Sequence, residues 1–139
     1  MSLATFGAIL SHALALERDA ADFYEESARS SQDSLAAELA TGSVRRIERL
    51  ERLRREGVSE MILESIQGFD ENDFPLHGQR DQAGQPWRGP AAAIEQTRQR
   101  FFETAAAKVP IREVSRQFAR MAKENADTLG RLQDEAAGP

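Results

Sequence analysis

Apolar residues recur every three or four positions along most of the chain, which is the spacing of one face of an α-helix. Four such runs are present, at about residues 3–29, 35–65, 90–109 and 111–134. Alternation of β-branched and polar residues, which would indicate a strand, is missing. The pattern therefore predicts an all-α protein with four amphipathic helices, the second of them bent or broken at Gly57.

The connections between these helices differ in length. Residues 30–33 form a short polar turn in which Asp33 or Ser34 can cap the second helix, and short turns place consecutive helices as antiparallel neighbours. The Gly- and Pro-rich segment 66–90 is long enough to cross a bundle, with Phe69, Phe74 and Trp87 expected to pack it down. We predict one domain over residues 1–139: an antiparallel four-helix bundle made of helical hairpins 3–65 and 91–134, joined by the long crossover 66–90 between the second and third helices.

The two halves of the chain also resemble each other. A shift of 78 residues places Glu17 on Glu95 and Tyr24 on Phe102, and a shift of 82 places Leu39 on Met121. Two hairpins related by a pseudo-twofold axis would give this pattern. Chance similarity between helices rich in Ala and Glu is the alternative.

Polar residues interrupt the apolar stripe of every predicted helix at one level. If the stripes face the core, these residues form a buried layer, in which ionised carboxylates are costly unless they are paired or bound to a cation. Stripes turned toward solvent are the alternative, since charged side chains are mostly exposed. The polar layer, as we call it, consists of Glu17, Ser43, Arg46, Glu95, Asn125 and Thr128, with Tyr24 beside it.

The first of these helices carries a recognisable spacing. Glu17 precedes the aromatic pair Phe23-Tyr24 by six and seven residues, and segment 15–28 resembles the first metal-bearing helix of rubrerythrin-like proteins in the ferritin-like superfamily. Segment 93–103, which contains Glu95, is similar to the matching third helix. The resemblance covers nearly the whole chain and implies a ferritin-like fold with a di-iron centre. In that family the second and fourth helices each carry the motif Leu-Ala-x-Glu-Glu-x-x-His, which supplies a Glu and a His to the di-iron centre.

This sequence departs from the family at four of the six ligand positions. Ser43 and Arg46 stand where the second helix would supply Glu and His, and Asn125 and Thr128 stand there in the fourth. Only Glu17 and Glu95 remain as candidate metal ligands. We therefore expect that the di-iron centre is lost.

A guanidinium stays protonated in proteins and has no lone pair to donate to a metal. We expect Arg46 to form a charge-assisted bridge to Glu17, Glu95 or both at the former iron site. Arg98 is a second candidate cation. The remaining hydrogen bonds would be completed by other members of the polar layer and its neighbour: Tyr24, Ser43, Asn125 and Thr128.

Composition excludes several classes of partner and of metal site. The 139 residues include 18 Lys and Arg against 23 Asp and Glu, a net charge of −5, which argues against a nucleic-acid partner. No Cys is present and His12 and His77 are the two His, so Cys-based and His-rich metal sites are excluded. His12 is out of phase with Glu17, which predicts a surface or edge position. No stretch is apolar enough to span a membrane, so we expect a cytoplasmic protein.

An arginine-rich run at residues 45–55 contains interleaved glutamates. The i,i+4 pairs Glu48–Arg52 and Glu51–Arg55 predict a solvated, salt-bridged helix face.

The favoured function is a non-catalytic binding or structural module with no cofactor, and a homodimer is one expected assembly. The alternative is an iron-binding oxidoreductase of oxidase or peroxidase type, or an iron-handling protein. In this iron-binding alternative, Glu17 and Glu95 would bind iron together with Glu124, Asp127 or residues of a second chain. A third candidate is an adaptor for another helical protein, which would expose a large apolar patch.

Overall fold

The fold was obtained as a computed structural model that describes residues 2–56, 66–78 and 86–136. These residues form four α-helices: α1 (Phe6–Ser31), α2 (Ser34–Arg55), α3 (Arg88–Lys108) and α4 (Arg112–Ala136). Across the described ranges there is no β-strand, only one isolated bridge between Ser2 and Asp70. The all-α prediction is confirmed. The rest of the predicted second helix, including the bend at Gly57, lies outside the described residues.

The ends of α1 and α2 are set by capping residues. The Thr5 side chain accepts from the Ala8 N–H at 3.1 Å, and Asp33 Oδ1 accepts from the Leu35 N–H at 2.9 Å. Between the two helices, Gln32 has a left-handed backbone with φ of 55°. The predicted cap at Asp33 is therefore confirmed, and the turn joins two helices that pack against each other.

Helices α1 and α2 pack against each other, as do α3 and α4, and α1 also contacts α3. The buried apolar residues fall into two clusters. One contains Leu10, Phe102 and Phe118, and the other contains Tyr24 and Trp87. Each helix passes from one cluster to the other at a buried polar position, so the polar layer divides the apolar core. No helix in the described part of the chain is long and apolar enough to cross a membrane.

The described part of the connection between α2 and α3, residues 66–78 and 86–87, is held by aromatic packing, as predicted. The rings of Phe69 and Phe74 lie 5.3 and 5.4 Å from that of Phe101, and Trp87 packs edge-on against Tyr24. His12 takes the edge position of its prediction rather than the surface one, with its side chain 10% exposed and its ring 5.5 Å from that of Phe101. Its Nε2 is 2.8 Å from the Phe74 carbonyl. His12 thereby links α1 to the connection. Its partners lie far from it in the sequence, so the helical period of α1 could not indicate them.

Candidate functional site

Glu17 and Glu95 lie at the centre of the protein. They are 0% and 1% exposed, so the alternative of outward-facing, solvated carboxylates is wrong for both. Glu17 lies on the buried face of α1 and Glu95 on the buried face of α3, and these two helices contact each other. Two negative charges at this depth require partners, since an uncompensated buried charge is strongly destabilising.

The principal partner of both carboxylates is Arg98 on α3. Its Nη2 donates to Glu17 Oε1 at 2.6 Å and its Nε donates to Glu17 Oε2 at 2.8 Å, a bidentate arrangement. Its Nη1 also donates to Glu95 Oε2, one turn earlier on the same helix. A single buried guanidinium therefore contacts three of the four carboxylate oxygens.

Two further donors complete the contacts of Glu95. The Tyr24 hydroxyl donates to Oε2 at 2.6 Å, and Asn125 Nδ2 donates to Oε1 at 2.9 Å. Every oxygen of Glu17 and Glu95 thus accepts from a side chain of the protein. Burial, followed by the charge of Glu95, raises the pKa of Tyr24 well above its ordinary value, which keeps the phenol protonated and donating.

Arg46 is buried in the same layer and forms the predicted ion pair with Glu17, but its hydrogen bonds go elsewhere. Its Nη1 is 3.6 Å from Glu17 Oε2, and its close hydrogen bonds go to α4: Asn125 Oδ1 at 2.7 Å, the Met121 carbonyl at 3.1 Å and Glu124 Oε1 at 2.9 Å. Arg46 therefore supports the carboxylates through Asn125 and through charge. The expected bridge from Arg46 to Glu17 is therefore present as an ion pair, whereas within the described residues Arg46 forms no ion pair with Glu95. Arg98 is closer to both carboxylates.

The layer is electrically balanced. Glu17 and Glu95 carry two negative charges, and Arg46 and Arg98 carry two positive ones. Burial alone would lower the pKa of Arg98, but the charges of Glu17 and Glu95 outweigh it and raise that pKa above its ordinary value. Burial lowers the pKa of Arg46, against the opposing effect of Glu17, yet a guanidinium remains protonated at any physiological pH.

Ser43 and Thr128 take no part in the carboxylate contacts. Ser43 is 2% exposed and its Oγ has no hydrogen-bond partner within the described structure. Thr128 is partly exposed and lines the cavity beside the layer. The expectation that these two hydroxyls complete the hydrogen bonding is therefore not met.

The residues of the layer do not fit a di-iron centre. The carboxylate oxygens already accept from Arg98, Tyr24 and Asn125, and the layer adds two permanent cations that would repel a metal ion. In residues 2–56, 66–78 and 86–136, no group of three or more His, Cys, Asp or Glu side chains comes close enough to bind a metal together. Glu124, considered as a substitute ligand, is held by Arg46 and by Arg49, whose Nη2 is 2.9 Å from its Oε1.

The arginine-rich face of α2 also differs from its prediction. Glu51 Oε1 accepts from Arg18 and from Arg54, each at 2.9 Å, rather than from Arg55. Within the described chain the predicted Glu48–Arg52 pair is not formed either. The interleaved glutamates therefore neutralise less of this face than their spacing indicates.

Comparisons of the chain with family models, with curated proteins and with solved structures give no match. The resemblance to rubrerythrin-like proteins consequently stays a prediction from the sequence.

Proposed function

We propose that this chain is a ferritin-like protein of rubrerythrin type in which a buried ion-pair layer has taken the place of the di-iron centre. It acts as a non-catalytic binding or structural helical module. One observation carries the proposal: the bidentate contact of Arg98 with Glu17, at 2.6 and 2.8 Å. It places a permanent cation against the carboxylate that a metal would need.

Metal binding at this position would require several changes at once. Arg98 would have to release both carboxylates, and its charge would remain beside the incoming cation unless the side chain left the core. Moving a charged group of this kind is expensive when its counter-charges are buried. The polar layer therefore favours a fixed structural centre over an exchangeable metal site.

Metal analysis tests the proposal directly. The protein is purified without chelators, incubated with ferrous iron or with manganese, desalted and measured by elemental analysis. We expect far less than one metal ion per chain. About two ions per chain would overturn the proposal and favour the iron-binding oxidoreductase or iron-handling alternative.

A restored variant supplies the positive control. It carries the family's ligand types at the four altered positions and lacks the competing guanidinium: Ser43→Glu, Arg46→His, Asn125→Glu, Thr128→His and Arg98→Ala. Circular dichroism establishes whether this variant folds. Metal uptake by the folded variant alone would show that the assay detects a centre in this fold, which makes the wild-type result decisive.

Size-exclusion chromatography with light scattering addresses the assembly. A homodimer that binds iron would support ligands shared across two chains, as the alternative requires. A metal-free dimer or monomer agrees with the proposed module. The adaptor candidate would be favoured by a stable complex with a second helical protein.

A further inference from the structure

A cavity of about 500 Å³ opens beside the polar layer and is lined mainly by residues of α2 and α4. Its inner wall includes Tyr24, Glu95 and Arg98, and its outer part is formed by Arg45, Arg49 and Arg52. The volume lies within the range of small-molecule sites, about 300–1,000 Å³. The cavity is therefore large enough for a small organic ligand and reaches from solvent to the buried charges.

The arginines of this cavity form a stripe of like charge. Arg45, Arg49 and Arg52 follow the i, i+4, i+7 spacing of one helix face. Among the described residues, the side chains of Arg45 and Arg52 form no hydrogen bond or ion pair, and Arg49 pairs with Glu124 alone. Glu48 also lines the cavity and supplies one negative charge beside the stripe, so the stripe keeps an excess of positive charge on a chain whose net charge is −5.

A buried hydroxyl is a second reason to expect a ligand in this cavity. Ser43 lines it, and its Oγ is buried without a partner in the described structure. Buried polar groups are almost always hydrogen-bonded, so a buried hydroxyl without a protein partner beside a cavity is a candidate donor to a ligand. An acceptor atom inside the cavity would satisfy this hydroxyl.

The carboxylate of Glu124 already contacts two arginines that line the cavity. Its carboxylate accepts from Arg46 and Arg49, with both Nη2 atoms 2.9 Å from Oε1, while its side chain remains 43% exposed. These guanidinium groups lower the pKa of Glu124, although burial opposes them. This half-exposed carboxylate contacts two arginines in a position that the carboxylate or phosphate of a ligand could also occupy.

We propose that this cavity binds a small organic anion carrying carboxylate or phosphate groups. Arg49 and Arg52 hold the anionic group, Ser43 donates a hydrogen bond to it, and the Glu124 carboxylate moves aside to solvent. This inference rests on the proposed function, since it names the ligand class of a binding module. It depends on the arginines of α2 rather than on the metal content of the layer, so the two proposals fail in different measurements.

Calorimetric titration tests the inference, with inorganic phosphate and citrate as probes at constant ionic strength and potassium chloride as the baseline. We expect saturable binding of at least one probe. Binding of phosphate alone points to a phosphorylated ligand, and binding of citrate alone points to a polycarboxylate. Absence of saturable binding by both probes would overturn the inference, whatever the metal analysis gives.

Matched variants locate the binding. Arg52→Gln should weaken it about tenfold through loss of a charge-assisted contact. Arg55→Gln should leave it within about twofold, because Arg55 is also exposed on α2 but does not line the cavity. Equal effects of the two changes would contradict the assignment and indicate general attraction to a basic surface.

Two further variants test the hydroxyl and the exchange. Ser43→Ala should weaken binding severalfold, whereas Thr41→Ala, an exposed hydroxyl outside the cavity on the same helix, should not. Glu124→Gln removes the competing carboxylate and should strengthen binding about tenfold. Weaker binding by a folded Glu124→Gln protein would refute the exchange.

Discussion

Arg98→Ala removes the one guanidinium that contacts three of the four buried carboxylate oxygens. Among the described residues, Glu17 would then keep Arg46 as its one charged partner, at 3.6 Å, and the layer would carry an excess negative charge. Breaking a buried ion pair from one side costs about 3–5 kcal/mol. We expect a loss of unfolding free energy of this size.

Urea unfolding followed by far-ultraviolet circular dichroism measures the loss. Arg46→Ala provides the comparison, because it leaves the bidentate contact between Arg98 and Glu17 intact, and should cost less, about 1–3 kcal/mol. Arg120→Ala is the control, since that exposed arginine has no side-chain partner in the described structure, and should stay within about 0.5 kcal/mol of wild type.

Arg98→Lys keeps the charge but loses the planar guanidinium group. It should therefore lower the free energy of unfolding, but by less than Arg98→Ala does. A double-mutant cycle of Arg98→Met with Glu17→Gln isolates the pair, and we expect a coupling above about 1 kcal/mol. The reasoning would be refuted if Arg98→Ala cost under 1 kcal/mol, or if it cost less than Arg46→Ala.

The remaining predictions concern pH and helix propensity. Tyr24 is the single tyrosine and its folded pKa is raised. Its contribution to stability is therefore present below the unfolded pKa of about 10 and is lost as the pH rises through the folded value. The phenolate absorbance should appear only together with loss of helical signal, and an earlier appearance would argue against burial of the phenol. The pKa of Glu124 is lowered, so its pairing contributes above the unfolded value of about 4.3 and is lost as the pH falls through the folded one. The stability difference between wild type and Glu124→Gln should accordingly shrink below about pH 4; a constant difference would show that Arg46 and Arg49 do not stabilise the charge. Gly130→Ala should stabilise α4 by up to about 1 kcal/mol, because a Cβ there meets no atom within 4 Å, and an unchanged melting temperature would contradict this.

The helices were predictable because their information is local. Apolar spacing locates α1, α3 and α4 to within a few residues of their observed ends, and Asp33 caps α2 as its side-chain chemistry indicates. Spacing also placed Glu17 and Glu95 on faces that prove to be buried. These features depend on the period of a helix and on groups within one turn.

The pairing inside the layer was not predictable in the same way. Arg46 and Arg98 both had suitable phase, and the choice between them depends on the distance between helices, which the sequence does not give. One signal favoured Arg98: it lies three residues after Glu95, on the same helix face. The partners of His12 were not predictable for a similar reason, since they come from the distant connection and from α3.

Anomalous scattering from crystals soaked in manganese examines the central claim most directly. The account predicts no anomalous peak between Glu17 and Glu95 and density for the Arg98 guanidinium against both carboxylates. A pair of peaks bridged by these two carboxylates, with Arg98 displaced, would contradict it.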